Sequence, residues 1–266
     1  VAGAVGCVVV LLAGRVGNGV GRRFMRQDCA GARRLAQIIR WLHPADGWIE
    51  LPTMINALEL AQKGELTAAS ETLDRLRGVK SLVGQAPIMN LYRITSRWDE
   101  LLAWLSQHRE ELERNPNFVP VVLRALGETG DVRGLVGFYD EHREKIGKLV
   151  PTANRDLCRL MLFAFCGKRQ EVERLFSGNL AVLPVPIRAF WLATADLEAG
   201  AKESARGQLE AILPGSDLLL QRAIERRLDR ISVVPEPLDA SAERVVDEAS
   251  KEQSHEERFG SQRSLF

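Results

Sequence analysis

The sequence predicts an all-α protein: a solenoid of about five helical hairpins with an N-terminal segment that reads as a membrane-anchor helix. Three observations predict it. A short pattern recurs at about 34 residues through the middle of the chain, prolines fall between the copies, and residues 1–14 are uncharged and apolar. Alternating strand patterns bounded by turn residues are absent from the sequence.

The N-terminal segment, VAGAVGCVVVLLAG, runs directly into a basic stretch in which residues 15–40 carry seven arginines against Asp28 alone. Fourteen helical residues rise only about 21 Å against roughly 30 Å of hydrocarbon. Residues 1–21 are therefore expected to be a truncated membrane anchor, belonging to a larger membrane protein. Positive charge directly after the apolar run is expected to hold the remainder of the chain on the cytoplasmic side of the inner membrane. Arg15, Arg22, Arg23 and Arg26 are the candidate contacts to anionic lipid. A secretory leader would carry its charges before the apolar run instead. A nucleotide-binding reading of residues 8–21 competes, because CVVVLLAG precedes Gly14, Gly17, Gly19 and Gly21. Their spacing differs from G-x-G-x-x-G, and no βαβ alternation comes after them.

Residues 22–48 read as a basic juxtamembrane helix and a junction. Pro44 and Asp46-Gly47 break the chain there, with Trp41 and Trp48 expected to pack on the first hairpin. Residues 49–231 hold the repeats. The segments AQKGELTAASETL, ITSRWDELLAWL, GETGDVRGLVGFY, AFCGKRQEVERLF and LEAGAKESARGQL superpose without gaps. Their turn positions are Gly64, Ser96, Gly130, Gly167 and Gly200, at spacings of 32, 34, 37 and 33. Five residues on stand Ala69, Leu101, Leu135, Val172 and Ala205; nine on stand Leu73, Leu105, Tyr139, Phe176 and Leu209. Seven residues before the turn are Ala57, Met89, Leu123, Leu160 and Ala193. Four before it are Leu60, Tyr92, Leu126, Phe163 and Asp196, the last breaking the apolar pattern. Such spacing gives one helix ending at the glycine and a second laying an apolar face against it. Residues 232–266 are expected to be a charged linker or tail outside the array, either solvated chain or a lone charged helix. Between Glu236 and Arg258 they carry eight acids against three bases.

The 34-residue period, with glycine at the turn and apolar residues five and nine later, resembles the tetratricopeptide repeat. It departs from that family where a small residue is usual seven before the turn, since Met89, Leu123 and Leu160 stand there. No ligand-contacting residue is carried over. A second resemblance rests on ARRLAQIIRWLHPADGW (32–48), NLYRITSRWDELLAWL (90–105), LRALGETGDVRGLV (123–136) and AFCGKRQEV (164–172). These look like the N-terminal extension of bacterial rhomboid-family intramembrane serine proteases. That resemblance implies a helical-repeat region ahead of a membrane-embedded protease, whose G-x-S-G serine motif this chain lacks.

Other chemistry is sparse. The chain balances 36 basic against 35 acidic residues, which predicts no bulk attraction to nucleic acid. Cys7, Cys29, Cys158 and Cys166 form no CxxC pair, so no metal or disulfide framework is expected, and they read as small core residues. His108 and His142 both lie twelve residues after a turn position and are expected to be exposed helix-end residues. His43 belongs to the junction, and His255 lacks the second histidine of a zinc motif. Asp99-Glu100, Glu110-Glu111 and Glu256-Glu257 read as solvated faces. No catalytic, cofactor-binding or metal residues are assigned. The expected function is a non-catalytic, membrane-tethered cytoplasmic module for protein or peptide binding, accessory to a rhomboid-type protease. A free-standing scaffold and a nucleotide-binding enzyme are the alternatives.

Overall fold

The computed structural model describes residues 19–42, 49–76, 86–110, 118–149, 152–232 and 238–263, and among them every regular element is helical. They group into two compact units.

The first unit contains α1 (Cys29–Leu42), α2 (Leu51–Gln62), α3 (Leu66–Asp74) and α4 (Ala86–Thr95). It also takes the segment 213–223, which opens α13 (Leu218–Asp229). Neighbours in sequence pack together, α1 on α2, α2 on α3 and α3 on α4, and α2 also meets α4. Their core joins Ala32, Ala36 and Ile39 of α1 to Ile55, Ala57 and Leu58 of α2, Ala69 and Leu73 of α3, and Leu91 and Ile94 of α4. Small residues at helix spacing on α1 allow that close approach.

The second unit contains α5 (Trp98–Gln107), α6 (Val119–Thr129), α7 (Val132–Glu141), α8 (Arg143–Gly147), α9 (Thr152–Phe165) and α10 (Arg169–Ser177). It continues with α11 (Val185–Glu198), apart from its first residue, α12 (Lys202–Ile212), the second half of α13 and α14 (Ala240–Arg263). Helix α6 packs on α5, α7 and α9, and α9 packs on α7, α8, α10 and α14. Gly127 makes the α6–α9 contact possible: a Cβ there would lie 2.1 Å from Phe165 Cδ2. Pro52, Pro87, Pro120 and Pro186 all fall in the first turn of a helix, where the missing N–H has no helical acceptor to lose.

Five turns join helix pairs with one hydrogen-bond scheme. Gly64, Ser96, Gly130, Gly167 and Gly200 have φ of 87°, 59°, 82°, 70° and 82°. The N–H at each donates to the carbonyl three residues back, at 3.0, 3.3, 3.2, 3.3 and 3.0 Å. The next N–H donates to the carbonyl five residues back, at 3.0, 3.0, 3.0, 2.8 and 2.8 Å. This paired closure satisfies carbonyls that a helix end leaves open, and it requires one residue in the left-handed region. The residues five after each turn, Ala69, Leu101, Leu135, Val172 and Ala205, are all 0% exposed.

A sixth turn of the same kind stands at Gln27, which sequence reading missed. Gln27 has φ of 61°, and its N–H donates to Phe24 O at 2.9 Å while Asp28 N–H donates to Arg23 O at 2.9 Å. A helix over 19–25 precedes it, and Ala32 and Ala36, five and nine residues on, are fully buried. Residues 19–42 therefore form a hairpin rather than a lone juxtamembrane helix. Asp28 caps α1 by accepting from Gly31 N–H at 2.8 Å, as Asp131 caps α7 by accepting from Gly134 N–H at 2.8 Å.

Two further expectations are corrected. Trp41 is 87% exposed instead of packed on the first hairpin, because the buried side of α1 is carried by Ala32, Ala36 and Ile39. Residues 240–263 are a helix, one of the two forms expected, but it packs on α7 and α9 instead of standing alone in solvent. Among the described residues no helix is long and apolar enough to cross a membrane. Of the expected anchor, residues 1–21, residues 1–18 lie outside the described residues, as do Trp48, His43 and Cys7, while residues 19–21 open the helix over 19–25 and Val20 joins the core of the first unit.

Candidate binding surface

The most developed surface in the second unit is the one that α14 covers. Along α14, Ala242, Val245, Val246, Ala249 and Gln253 are buried, a stripe at three- and four-residue spacing. Beside it run Glu248, Glu252 and Glu256, one turn apart. Arg143, at the start of α8, donates from Nη1 to Glu248 and from Nε to Glu252 at 2.9 Å. Arg159, on α9, forks onto Glu256 with bonds of 2.8 and 3.1 Å. Arg155, one turn earlier on α9, reaches the same carboxylate at 2.9 Å. Ser250 adds a bond to Glu171 Oε1 of α10 at 3.3 Å.

Electrostatics at this face are set by the pairing. The Glu248 carboxyl titrates below its ordinary value because Arg143 donates to it. Burial pushes Glu256 upward, but Arg159 and Arg155 outweigh it and hold the group below the ordinary range. Arg159 has only 3% of its side chain exposed. Burial disfavours its charge, and the Glu256 bond more than compensates, so it stays protonated. Burial also raises the Tyr139 phenol to about 12. A cavity of about 550 Å³ remains beside the helix, lined by Tyr139, Ile146, Arg143, Arg155, Arg159, Glu252 and Glu256 among others. Nε of Arg155 and Nε of Arg159 make no hydrogen bond.

A second concavity of about 430 Å³ opens among α5, α6 and α7. Leu102, Leu105, Val119, Val122, Leu126 and Phe138 give it apolar walls, and Arg109, Glu141, His142 and Lys145 its polar margin. Gly137 lines it, and a Cβ there would meet nothing within 4 Å. His142 stacks on Phe138 with centroids 4.1 Å apart, its Nδ1 3.0 Å from Phe138 O. His108 repeats the arrangement on Trp104, at 4.4 Å and 2.8 Å. Both are thus tied to the residue one turn earlier, but His142 is 7% exposed and corrects its expected exposure.

Deeper in the unit lies a charged cluster in which Arg227 and Glu128 are fully buried and Arg124 is 24% exposed. Arg227 is 1% exposed, lies 5.2 and 5.6 Å from the Phe165 and Phe190 ring centres, and donates to Glu128 at 3.0 Å and Thr194 Oγ1 at 3.3 Å. Burial pushes Glu128 upward, but Arg227 and Arg124 hold it ionised below the ordinary range. Arg124 lies over Trp98 and Trp191 at 5.4 and 5.3 Å. Asp196, the exception in the repeat pattern, is 4% exposed and accepts from Arg169, from Ser204 at 2.7 Å and from Gln208 at 2.6 Å. Its charge is neutralised by Arg169 of α10 and hydrogen-bonded by Ser204 and Gln208 of α12, which is how a carboxylate replaces an apolar residue there.

The remaining assignments disperse. Arg22, Arg23 and Arg26 are exposed together at the first hairpin, Arg23 paired with Asp28, and Arg15 lies outside the described residues. Gly19 and Gly21 belong to the helix over 19–25, not to a loop. Cys29 and Cys158 are buried and Cys166 half-buried; burial raises the thiols of Cys29 and Cys166 to about 11 and about 12. Among the described residues no group of three or more His, Cys, Asp or Glu is placed to hold a metal ion. Sequence reading passed over Glu248, Glu252 and the three arginines, and it read Glu256 as part of a solvated face, whereas Glu256 is half-buried and paired with Arg155 and Arg159. The signal was available: carboxylates four residues apart flank an apolar stripe over 242–253. No known protein family, curated protein or solved structure matches this chain.

Proposed function

We propose that this chain is a tetratricopeptide-like helical-repeat module that binds protein segments, tethered at the cytoplasmic face of a membrane and accessory to a rhomboid-type protease. The observation that carries the binding reading is the seating of α14 on α7 and α9: this surface already holds an amphipathic helix by an apolar stripe and three arginines. Helix-on-surface recognition of this kind takes its affinity from the apolar stripe and its register from the charges. The repeat reading is supported by turns that share one hydrogen-bond scheme and by the buried residues five positions after each. The tether reading is supported by the exposed arginines 22, 23 and 26, each worth about 1 kcal/mol near anionic lipid.

Cross-linking of the full chain in solubilised membranes, with identification of the proteins it captures, tests the reading. Capture of a membrane-embedded serine protease or of its substrates is expected. Capture of soluble assemblies alone would favour a free-standing scaffold. A thermal shift on adding nucleotides, with no protein captured, would refute the binding reading in favour of the nucleotide-dependent alternative.

A further inference from the structure

The α14 face differs in kind from the rest of the core. Elsewhere in this unit small buried residues such as Ala125, Ala164 and Ala193 are interleaved with large ones: Leu123, Phe163, Phe165, Phe190 and Tyr139 are each at most 2% exposed. Helix α14 contributes Ala242, Val245, Val246 and Ala249 instead, and its strongest contacts are ion pairs at a partly exposed margin. The side chains of Glu248, Glu252 and Glu256 remain 42%, 43% and 39% exposed, so salt and water reach these pairs. Their partners on the other side are more buried under the seated helix: Arg159 is 3% exposed, Arg155 18% and Arg143 26%. Arg159 and Arg155 also lie 3.6 and 3.9 Å from Asp156 on their own helix, contacts that do not depend on α14, and their charges are better compensated with a second carboxylate than without one. Both keep an Nε with no hydrogen bond while the helix is seated, and a cavity remains beside it.

We infer that the face of α7, α8 and α9 is a docking site for acidic amphipathic helices. Helix α14 is its resident occupant, closing the site until a partner helix with carboxylates at i, i+4 and i+8 displaces it. This rests on the interaction-module reading above and names both the partner class and the regulation of that surface. A competing helix is expected to present small apolar residues on one stripe, as the seated helix does with Ala242 and Ala249, both buried. It must carry acids and not bases alongside, since Arg143, Arg155 and Arg159 would repel the latter. Displacement is an exchange of like for like. The apolar area and ion pairs lost with α14 are regained with the partner, so a modest difference in affinity or local concentration is enough to switch the site.

Hydrogen exchange on the full wild-type chain tests whether the helix opens. Amides of α14 are expected to exchange at least about tenfold faster than those of α9 and α11, and faster still when salt rises from about 0.05 M to about 0.5 M. Exchange of α14 only together with α9 and α11 would make it a permanent part of the unit. That result overturns the inference while leaving the module free to bind elsewhere. The second arm adds a labelled peptide of residues 238–263. It is expected to bind the full-length Glu248→Gln/Glu252→Gln/Glu256→Gln variant at least about tenfold more tightly than wild type, whose own helix competes. It should not bind when Arg143→Glu and Arg159→Glu are added. Should α14 open in the first arm while the peptide fails to bind the triple variant, the surface is no docking site, and the interaction reading fails at this face. The exchange arm needs no variant, so a misfolded mutant cannot mask the answer.

Discussion

Replacing Gly167 and Gly200 by alanine compares two turns with the same backbone and different surroundings. Both glycines have positive φ, 70° and 82°, where an L-residue costs roughly 1–2 kcal/mol. At Gly200 a Cβ would meet nothing within 4 Å, so that conformational cost is the whole effect. At Gly167 the same atom would lie 2.9 Å from Ala199 N and 3.0 Å from Ala199 Cα. Both are backbone atoms of the α11–α12 turn, which cannot rotate away as a side chain would. Forcing that packed backbone to move adds about 1–3 kcal/mol. Gly200→Ala is therefore expected to lose about 1–2 kcal/mol and Gly167→Ala about 2–5 kcal/mol. Urea unfolding monitored by circular dichroism reads both, with the slope checked for constancy. Equal losses, or a larger loss at Gly200, would refute the close approach of these two turns.

The same geometry sets three other outcomes. Among the five repeat turns Ser96 alone lacks glycine's freedom, at φ 59°, so Ser96→Gly is expected to stabilise the chain by about 1 kcal/mol in the same urea assay. Arg227→Ala should cost about 3–5 kcal/mol, because Glu128, with 2% of its side chain exposed, loses its nearest cation inside the unit. The Arg227→Ala/Glu128→Ala double variant should lose clearly less than the two single losses combined, measured by a double-mutant cycle. Lowering the pH should release α14 before the rest of the fold. Glu248 and Glu256 have their native values depressed below 4.5 by Arg143, Arg155 and Arg159. Depressed carboxylates contribute stability that is complete above the unfolded value and lost as pH falls through the folded one. Protection of α14 amides, taken relative to the intrinsic exchange rate at each pH, should therefore fall below pH 4.5 and stay constant between neutrality and that value.

The hairpins could be read from the sequence because their physics is local. A left-handed residue at the end of a helix is cheapest as glycine, and an apolar residue five places on must face the preceding helix whatever lies further away. The turn at Gln27 escaped because only one cue is present: Ala32 stands five places on, but glutamine stands where glycine usually does and Arg23 occupies the apolar place four residues before it. Its closure depends on Asp28 capping α1 and pairing with Arg23, a compensation seen only once the chain is folded. His142 and His108 occupy the same repeat position and make the same stacked contact, yet only His142 is buried, since burial depends on what the next elements place over it.

Sequence by itself determined the class, all-α, together with the register of the turns and the buried positions around them, because those depend on interactions within about ten residues of each glycine. Tertiary structure alone decided the fate of the acidic C-terminal stretch. Its charge predicts solvation when it is considered alone, and a stripe of Glu248, Glu252 and Glu256 has no meaning without a counterpart. The counterparts, Arg143, Arg155 and Arg159, lie about a hundred residues earlier and are separated among themselves, so only the packing of α8 beside α9 assembles them into one basic face. Complementarity between distant segments is a property of that assembly and is absent from either segment read alone.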